Sequence, residues 1–377
     1  MGTAQSEAEL AEQVAAATGP LAICGGSTRG MAVPGQRLST AGLTGVTLYE
    51  PGALTLAAAA GTPVARIEAL LAAEHQQLAF EPMDHRGLLN CSGEPTIGGV
   101  VAGNVSGPRR VQAGACRDHL LGVRFVDGNG TAIRNGGRVM KNVTGYDLVK
   151  LMAGSWGTLG VLTEVALKVL PRPETQATLH LRVDGSRQAV QVMSRALGSP
   201  FELTGAAYDP AQSEVLLRVE GFADSVDYRS ARLAERLREL GAVDRLSGAA
   251  QSAEAWRAIR DVRCFHDRQG DVWRLSVKPG DAPDIARRLN TDALLFDWGG
   301  GLIWTCAPEG TDLRRRLGGF GGHATLVRAS AETRARLGTF QPQSPALEAI
   351  SAGLRARFDP RNLFNRGLMS PAQPVGG

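Results

Sequence analysis

Between residues 141 and 171 the chain reads KNVTGYDLVKLMAGSWGTLGVLTEVALKVLP, and this stretch restricts the possible folds more than any other. A polar turn through Asn142, Thr144 and Gly145 opens it. The spacing then predicts a short helix over 147–152, with Asp147 at its positive end and Gly154 as its stop. A second turn, Gly157-Thr158-Leu159-Gly160, leads into a strand over 161–170 ended by Pro171. Val161, Thr163, Val165, Leu167 and Val169 share one face of that strand, and Glu164 and Lys168 mark the other as polar. Glycine turns on both sides of so short a helix let main chain approach something closely, with no side chain between.

The same economy of side chains recurs upstream. Ser6 caps a first helix that runs to about Ala17, with Glu9 in capping-box position. A buried strand over 20–23 runs into Cys24-Gly25-Gly26-Ser27-Thr28-Arg29-Gly30, a loop able to aim successive backbone N–H groups at a phosphate. It is neither GxGxxG nor GxxxxGK[ST], so neither the Rossmann nor the Walker site is indicated. A hairpin over 47–60 turns at Pro51-Gly52, and Pro63 opens a helix over 64–74. Residues 95–107, PTIGGVVAGNVSG, form a second candidate phosphate loop, and residues 114–130 read as a strand entering an Asn-Gly hairpin.

These motifs together resemble those of the flavin oxidoreductases of the vanillyl-alcohol-oxidase type, the family of glycolate oxidase and D-lactate dehydrogenase flavoproteins. GYDL…GSWGTLGVLTE is similar to that family's GYDL…GSEGTLGI-T-E, and TIGG, the R-D-x-x-L-G run at Arg117 and Asp118, and the closing FDPRNLFNRG have counterparts in the same order. In the closing motif Arg366 stands where the family has proline. The resemblance implies an α+β chain: a PCMH-type FAD-binding domain and a cap domain with an antiparallel sheet. It also implies non-covalent FAD, since no Arg-Ser-Gly-Gly-His run occurs in the first loop. Carried over by motif, Gly25, Gly26, Ser27 and Thr28 would meet the pyrophosphate, and Thr96, Gly98, Gly99 and Asn104 the pyrophosphate and flavin edge. Asp118 would lie under the ribityl chain or ring edge, and Gly160 and Val161 beside the adenosine. LAFEPMDHRG resembles the segment that borders the flavin ring.

At 377 residues there is room for two domains, with a seam at Pro171-Arg172-Pro173. Beyond the seam, two β-α-β-β-α units suggest a duplicated ferredoxin-like arrangement. The expected division is 1–172 for the cofactor, 173–340 for the cap, and 341–377 packing back on the first domain. A net charge of +4, with its densest runs RLAERLREL and DLRRRL at helical spacing, reads as solvated helix faces rather than a nucleic-acid surface. Five cysteines without a CxxC pair exclude a disulfide framework and an iron–sulfur cluster in this chain. No apolar run is long enough to span a membrane and the N-terminus does not read as a signal peptide, so a cytoplasmic protein is expected, peripheral to the inner membrane only through partners.

Within the family the closest resemblance is to the small FAD-binding subunits of glycolate-oxidising complexes. The signs are the short chain, the pairing of WRLSVKPG with DWGGG, and the absence of the GHxGDGN-x-H stretch that holds a metal in larger relatives. That implies glycolate, a 2-hydroxy acid, oxidised to glyoxylate, with a larger flavoprotein subunit and an iron–sulfur subunit as partners. A self-sufficient D-2-hydroxyacid dehydrogenase and a non-catalytic assembly subunit remain as alternatives. His323 reads as an ordinary strand residue, and no metal is expected. Arg274 is the candidate for a substrate carboxylate, with a structural pairing to a neighbouring acid as its other reading. His85 is the candidate base, with an exposed loop histidine as the alternative, and Trp273 and Trp304 read as core.

Overall fold

In a computed structural model, which describes residues 2–31, 33–137, 145–246 and 248–369, two sheets meet face to face around a shared core. The expected turn at Asn142 and Thr144 lies outside the described residues. Near the N-terminus, β1 (Leu21–Cys24) and β2 (Gln36–Ser39) run parallel. Strands β3 (Val46–Glu50) and β4 (Thr55–Ala59) form the expected hairpin, turning through a 3-10 helix at Pro51–Ala53. A short pair, β5 (Gln76–Gln77) with β9 (Leu170–Pro171), flanks β6 (Leu120–Val126), β7 (Ala132–Gly136) and β8 (Val161–Lys168). The first sheet has the order β3-β4-β8-β6-β7.

Strand β8 departs from its expected polar face. It sits between β4 and β6, so Leu162 and Ala166 are buried along with Val161, Val165 and Leu167. Only Glu164 and Lys168 reach partial solvent, and Glu164 accepts a 2.8 Å hydrogen bond from Thr47. Two spaced polar residues mimic an amphipathic strand when the sheet neighbours are unknown. The helix before it spans Leu148–Met152, and Asp147 caps it by accepting from the Lys150 N–H at 3.0 Å. Similarly, Ser6 caps Glu7–Ala15 by accepting from the Glu9 N–H.

The second sheet is built from β10 (Thr175–Arg182), β11 (Gly205–Asp209), β12 (Glu214–Gly221), β13 (Val243–Arg245), β14 (Asp271–Val277), β15 (Leu294–Asp297), β16 (Leu302–Ala307) and β17 (Gly322–Arg328). Its order is β13-β10-β12-β11-β15-β16-β14-β17, antiparallel throughout. Each half repeats one pattern, in which the first strand pairs with the third and fourth of its own unit. This is the duplicated ferredoxin-like arrangement, and the halves join at Tyr208 and Phe296, whose rings lie 5.4 Å apart. Strand β13, not expected from the sequence, supplies the fourth strand of the first unit.

Side-chain alternation decides what each face covers. Trp273, Leu275, Phe296 and Ile303 join the helices Ser186–Leu197 and Ala282–Leu289 in one core. Val272, Leu295, Leu302 and Trp304 point the other way, into the core of the N-terminal sheet with Phe80, Phe125 and Val165. Trp273 and Trp304 are both buried, as expected. Arg274, one residue on from Trp273, therefore faces the N-terminal layer.

Four charged side chains cross the seam between the layers. Arg109 donates from Nε and Nη2 to Glu220 at 2.9 and 2.7 Å, while Arg218 donates from Nη1 and Nη2 to Glu81 at 2.8 and 2.9 Å. Arg218 is also held by the Thr204 hydroxyl and carbonyl, and its guanidinium lies over the Trp256 ring. The closing segment returns to β1. Asp359 accepts from the Leu363 and Phe364 N–H groups, and Leu363 accepts in turn from Leu21 N at 2.7 Å. Among the described residues no helix is long and apolar enough to cross a membrane.

Candidate functional site

Three segments with few side chains enclose a cavity of about 420 Å³: the loop after β1, the start of the helix Ile97–Ala102, and the turn before β8. Main chain meets main chain here. A Cβ on Gly26 would lie 1.5 Å from the Glu94 carbonyl oxygen, and one on Gly98 would lie 2.6 Å from the Ala60 Cβ. Thr96 caps the helix, its hydroxyl accepting from Gly99 N at 3.3 Å. Among the described residues the N–H groups of Gly25, Gly26, Ser27 and Thr28 meet no acceptor. Arg29 lines the same cavity with a buried Nη1 that has no partner among the described residues. Burial lowers the pKa of Arg29 to about 10, and it remains a cation. A wall of free amide donors beside a cation suits the pyrophosphate of a dinucleotide.

Of the residues expected at the cofactor, Gly25, Gly26, Ser27, Thr28, Thr96, Gly98, Gly99, Gly160 and Val161 share this wall. Asn104 and Asp118 do not. Asn104 accepts from Arg117 N at 3.0 Å, and Asp118 accepts from Ala115 N at 2.9 Å, so both fasten the loop behind the helix. Their polar side chains are satisfied locally, a use that a motif comparison does not reveal.

Trp156, Gly157 and Asn365 also line the cavity and were not among the expected residues. Asn365 clamps two walls: its Oδ1 accepts from Ile23 N and its Nδ2 donates to the Trp156 carbonyl, each at 2.8 Å. The only local signal was the closing FDPRNLFNRG motif. Asn365→Ala is expected to lose about 2 kcal/mol of stability, the combined worth of two partly buried hydrogen bonds, and to weaken FAD retention. Denaturant unfolding and flavin content per chain measure the two effects.

A second cluster lies where the sheets face each other. Arg274 stands over the Trp298 ring, its Cζ 5.0 Å from the centroid, and among the described residues it donates to no acid. The expected alternative, a structural ion pair, is therefore absent at this arginine. Burial, reinforced by nearby Arg110, lowers the Arg274 pKa to about 10, still fully charged at neutral pH. His85 is half-buried rather than an exposed loop residue, with Nδ1 3.3 Å from the Met83 carbonyl. Burial and the Arg29 charge push it down to about 3, so it is neutral and a weak base. Asp297 was not anticipated. It accepts from Trp298 N at 2.7 Å, and burial raises its pKa to about 7. His323 pairs opposite Ser276 on β17, and among the described residues no group of three or more His, Cys, Asp or Glu is placed to hold a metal ion.

Comparison with known proteins places the chain among relatives. A family profile described as an FAD binding domain matches residues 3–136. Glycolate oxidase subunit GlcE of Escherichia coli is 37% identical over 93% of this chain and 92% of its own length. Glycolate oxidase subunit GlcD of Bacillus subtilis is 30% identical over 73% of this chain and 68% of its own. The solved structure of an alkyldihydroxyacetonephosphate synthase superposes with a TM-score of 0.68 at 16% identity, covering 97% of this chain and 76% of that one, which establishes the shared fold. The free amide donors and the cradle without side chains fit the cofactor of that family, and the cofactor is FAD. The chain belongs to the family of FAD-dependent oxidoreductases that contains these glycolate oxidase subunits.

Proposed function

We propose that this chain is the FAD-carrying subunit of a complex that oxidises glycolate to glyoxylate and passes the electrons to an iron–sulfur partner. The observation that carries the reading is the cavity of small residues, in a chain alignable with GlcE over nearly its whole length. Residues 1–172 would hold the cofactor, 173–340 would cap it, and 341–377 would close the first domain. The complex would work in the cytoplasm, with a larger flavoprotein subunit beside this one. Amides of Gly25 to Thr28 would hold the pyrophosphate, Thr96, Gly98 and Gly99 the adjoining edge, and Gly160 and Val161 the adenosine. Asn104 and Asp118 would shape the site from behind.

Converting glycolate to glyoxylate removes a hydride from Cα and a proton from the hydroxyl. When bound, FAD supplies the two-electron acceptor. Arg274 is the residue suited to hold the substrate carboxylate, because among the described residues no acid is hydrogen-bonded to its guanidinium. For the hydroxyl proton, Asp297 is better matched than His85, since a base works best with its pKa near the operating pH.

The test is the anaerobic visible spectrum of the FAD-loaded chain on adding glycolate. Bleaching of the flavin band, either alone or once the partner subunits are added, is the expected result. A flavin that stays oxidised with glycolate and all partners present contradicts the reading.

A further inference from the structure

The sequence places two arginines side by side after Pro108, and the fold gives them opposite fates. Arg109 is held on both donor edges by Glu220 and Gln77. Arg110 makes no side-chain hydrogen bond or ion pair among the described residues. Its Cζ lies 4.4 Å from the centroid of Trp298, the same indole that carries Arg274 at 5.0 Å. A guanidinium stacked on a ring uses its face, and its five N–H donors remain free at the edge.

The ring they share is fixed in place. Trp298 donates from Nε1 to the Gly107 carbonyl at 3.0 Å and from its backbone N to Asp297, and it holds a left-handed φ of 54°. Such backbone strain in a large residue persists only where the surroundings impose it, and it is common at functional sites. Through Gly107 the indole also ties the second sheet to the loop that carries Arg110. The acids nearest the pair, Asp118 and Asp297, form no hydrogen bond or ion pair with either arginine. Asp118 is engaged with Ala115 N and lies beside Arg117, and Asp297 is engaged with Trp298 N. His323, whose pKa burial lowers, adds no charge. Both arginines keep part of their surface exposed.

We propose that Arg110 and Arg274, held by Trp298, form a two-guanidinium receptor for the carboxylate of a 2-hydroxy acid, with Arg110 as its second arm. The proposal rests on the reading of Arg274 as the substrate-carboxylate residue and adds the residue that sets the strength of binding. Two forks against one planar anion favour a carboxylate over a phosphoryl group or a neutral alcohol, and they hold it by four or more N–H donors.

Oxalate, a planar carboxylate with no C–H to lose, is the probe. It is titrated into the FAD-loaded full chain and followed by the flavin difference spectrum and by calorimetry. Arg110→Gln is expected to raise the oxalate Kd by roughly 10- to 100-fold, the worth of a charged hydrogen-bonded pair, with FAD content and melting temperature unchanged. Arg110→Lys is expected to recover only part, since an ammonium cannot fork. Arg117→Gln, on an exposed neighbour, is the control and leaves the Kd unchanged. Failure of wild type to bind oxalate, or an Arg110→Gln Kd within twofold of wild type, overturns the receptor. A wild type that binds oxalate through Arg110 yet is never reduced by glycolate keeps the receptor and removes the glycolate reading. Reduction by glycolate with Arg110-independent oxalate binding does the reverse.

Discussion

Gly26→Ala is expected to empty the FAD site and to destabilise the chain by about 3 kcal/mol or more, at the upper end of overpacking costs. The new Cβ would stand 1.5 Å from the Glu94 carbonyl oxygen, and a Cβ on Gly93 would meet the Gly26 carbonyl oxygen at 1.9 Å. Both obstacles are backbone, so no flexible side chain can yield, and the two loops must part. Separating them moves Gly25 and Thr28 away from Thr96 across the cavity. Gly52→Ala is the matched control. Its Cβ would meet nothing within 4 Å, and a change of less than about 0.5 kcal/mol is expected there. Thermal melting and flavin absorbance per chain report both effects. Full flavin occupancy in Gly26→Ala would mean that the loop contact does not shape the site.

Glu81→Ala is expected to cost roughly 3 kcal/mol, because it removes the carboxylate hydrogen-bonded to a buried guanidinium and leaves Glu220, 3.5 Å away, as its remaining acid. Arg218 has 2% of its side chain exposed and loses both hydrogen bonds to Glu81, and Arg109 loses the Glu81 carboxylate beside it. The change should also alter the acid response. Burial alone would raise the Glu81 pKa, but Arg218 and Arg109 hold it down to about 2, against 4.5 for the free side chain. A depressed carboxylate pKa stabilises the folded state above the unfolded value and loses that contribution as pH falls. Wild type should therefore lose part of its stability between about pH 4.5 and 2, and Glu81→Ala should lack that part of the decline. Denaturant unfolding at pH 7, 4.5 and 3 separates the two. Parallel pH curves for the two proteins would show that the crossed pairs do not carry the acid sensitivity.

What could be read from the sequence follows the range of the interactions. The glycines at 25, 26, 98 and 160 were legible because close approach of main chain is a local demand that few other residues meet. Helices with a regular apolar spacing, such as Ser186–Leu197 and Ala282–Leu289, were equally clear, and the strand–helix alternation carried the duplicated sheet. Asn365 was not legible, since the N–H it accepts from belongs to a residue 342 positions away. Arg109 and Arg110 are adjacent and identical, and only the tertiary arrangement makes one structural and leaves the other open. Strand β13 is a three-residue edge with a single half-buried valine, too short for a pattern to register. Asn104 and Asp118 resembled ligands by motif and serve as loop fasteners, because the same polar side chain satisfies either need. His85 was chosen as a base from its position in the chain; its burial, and after that the Arg29 charge, which together lower its pKa, are tertiary effects.

We place FAD in the cavity between the loop after β1, the helix Ile97–Ala102 and the turn before β8. Gly99→Leu tests it most directly. A Cβ there meets only the Thr96 hydroxyl, at 3.3 Å, so the added side chain grows into the cavity rather than into backbone, and leucine suits a helix better than glycine. FAD titrated into flavin-free wild type should bind at one per chain. Gly99→Leu should keep the melting temperature of the flavin-free protein and bind FAD at least about 100-fold more weakly, a loss of about 2.7 kcal/mol. A Gly99→Leu protein that is equally folded and binds FAD as wild type does would place the cofactor elsewhere and contradict the account.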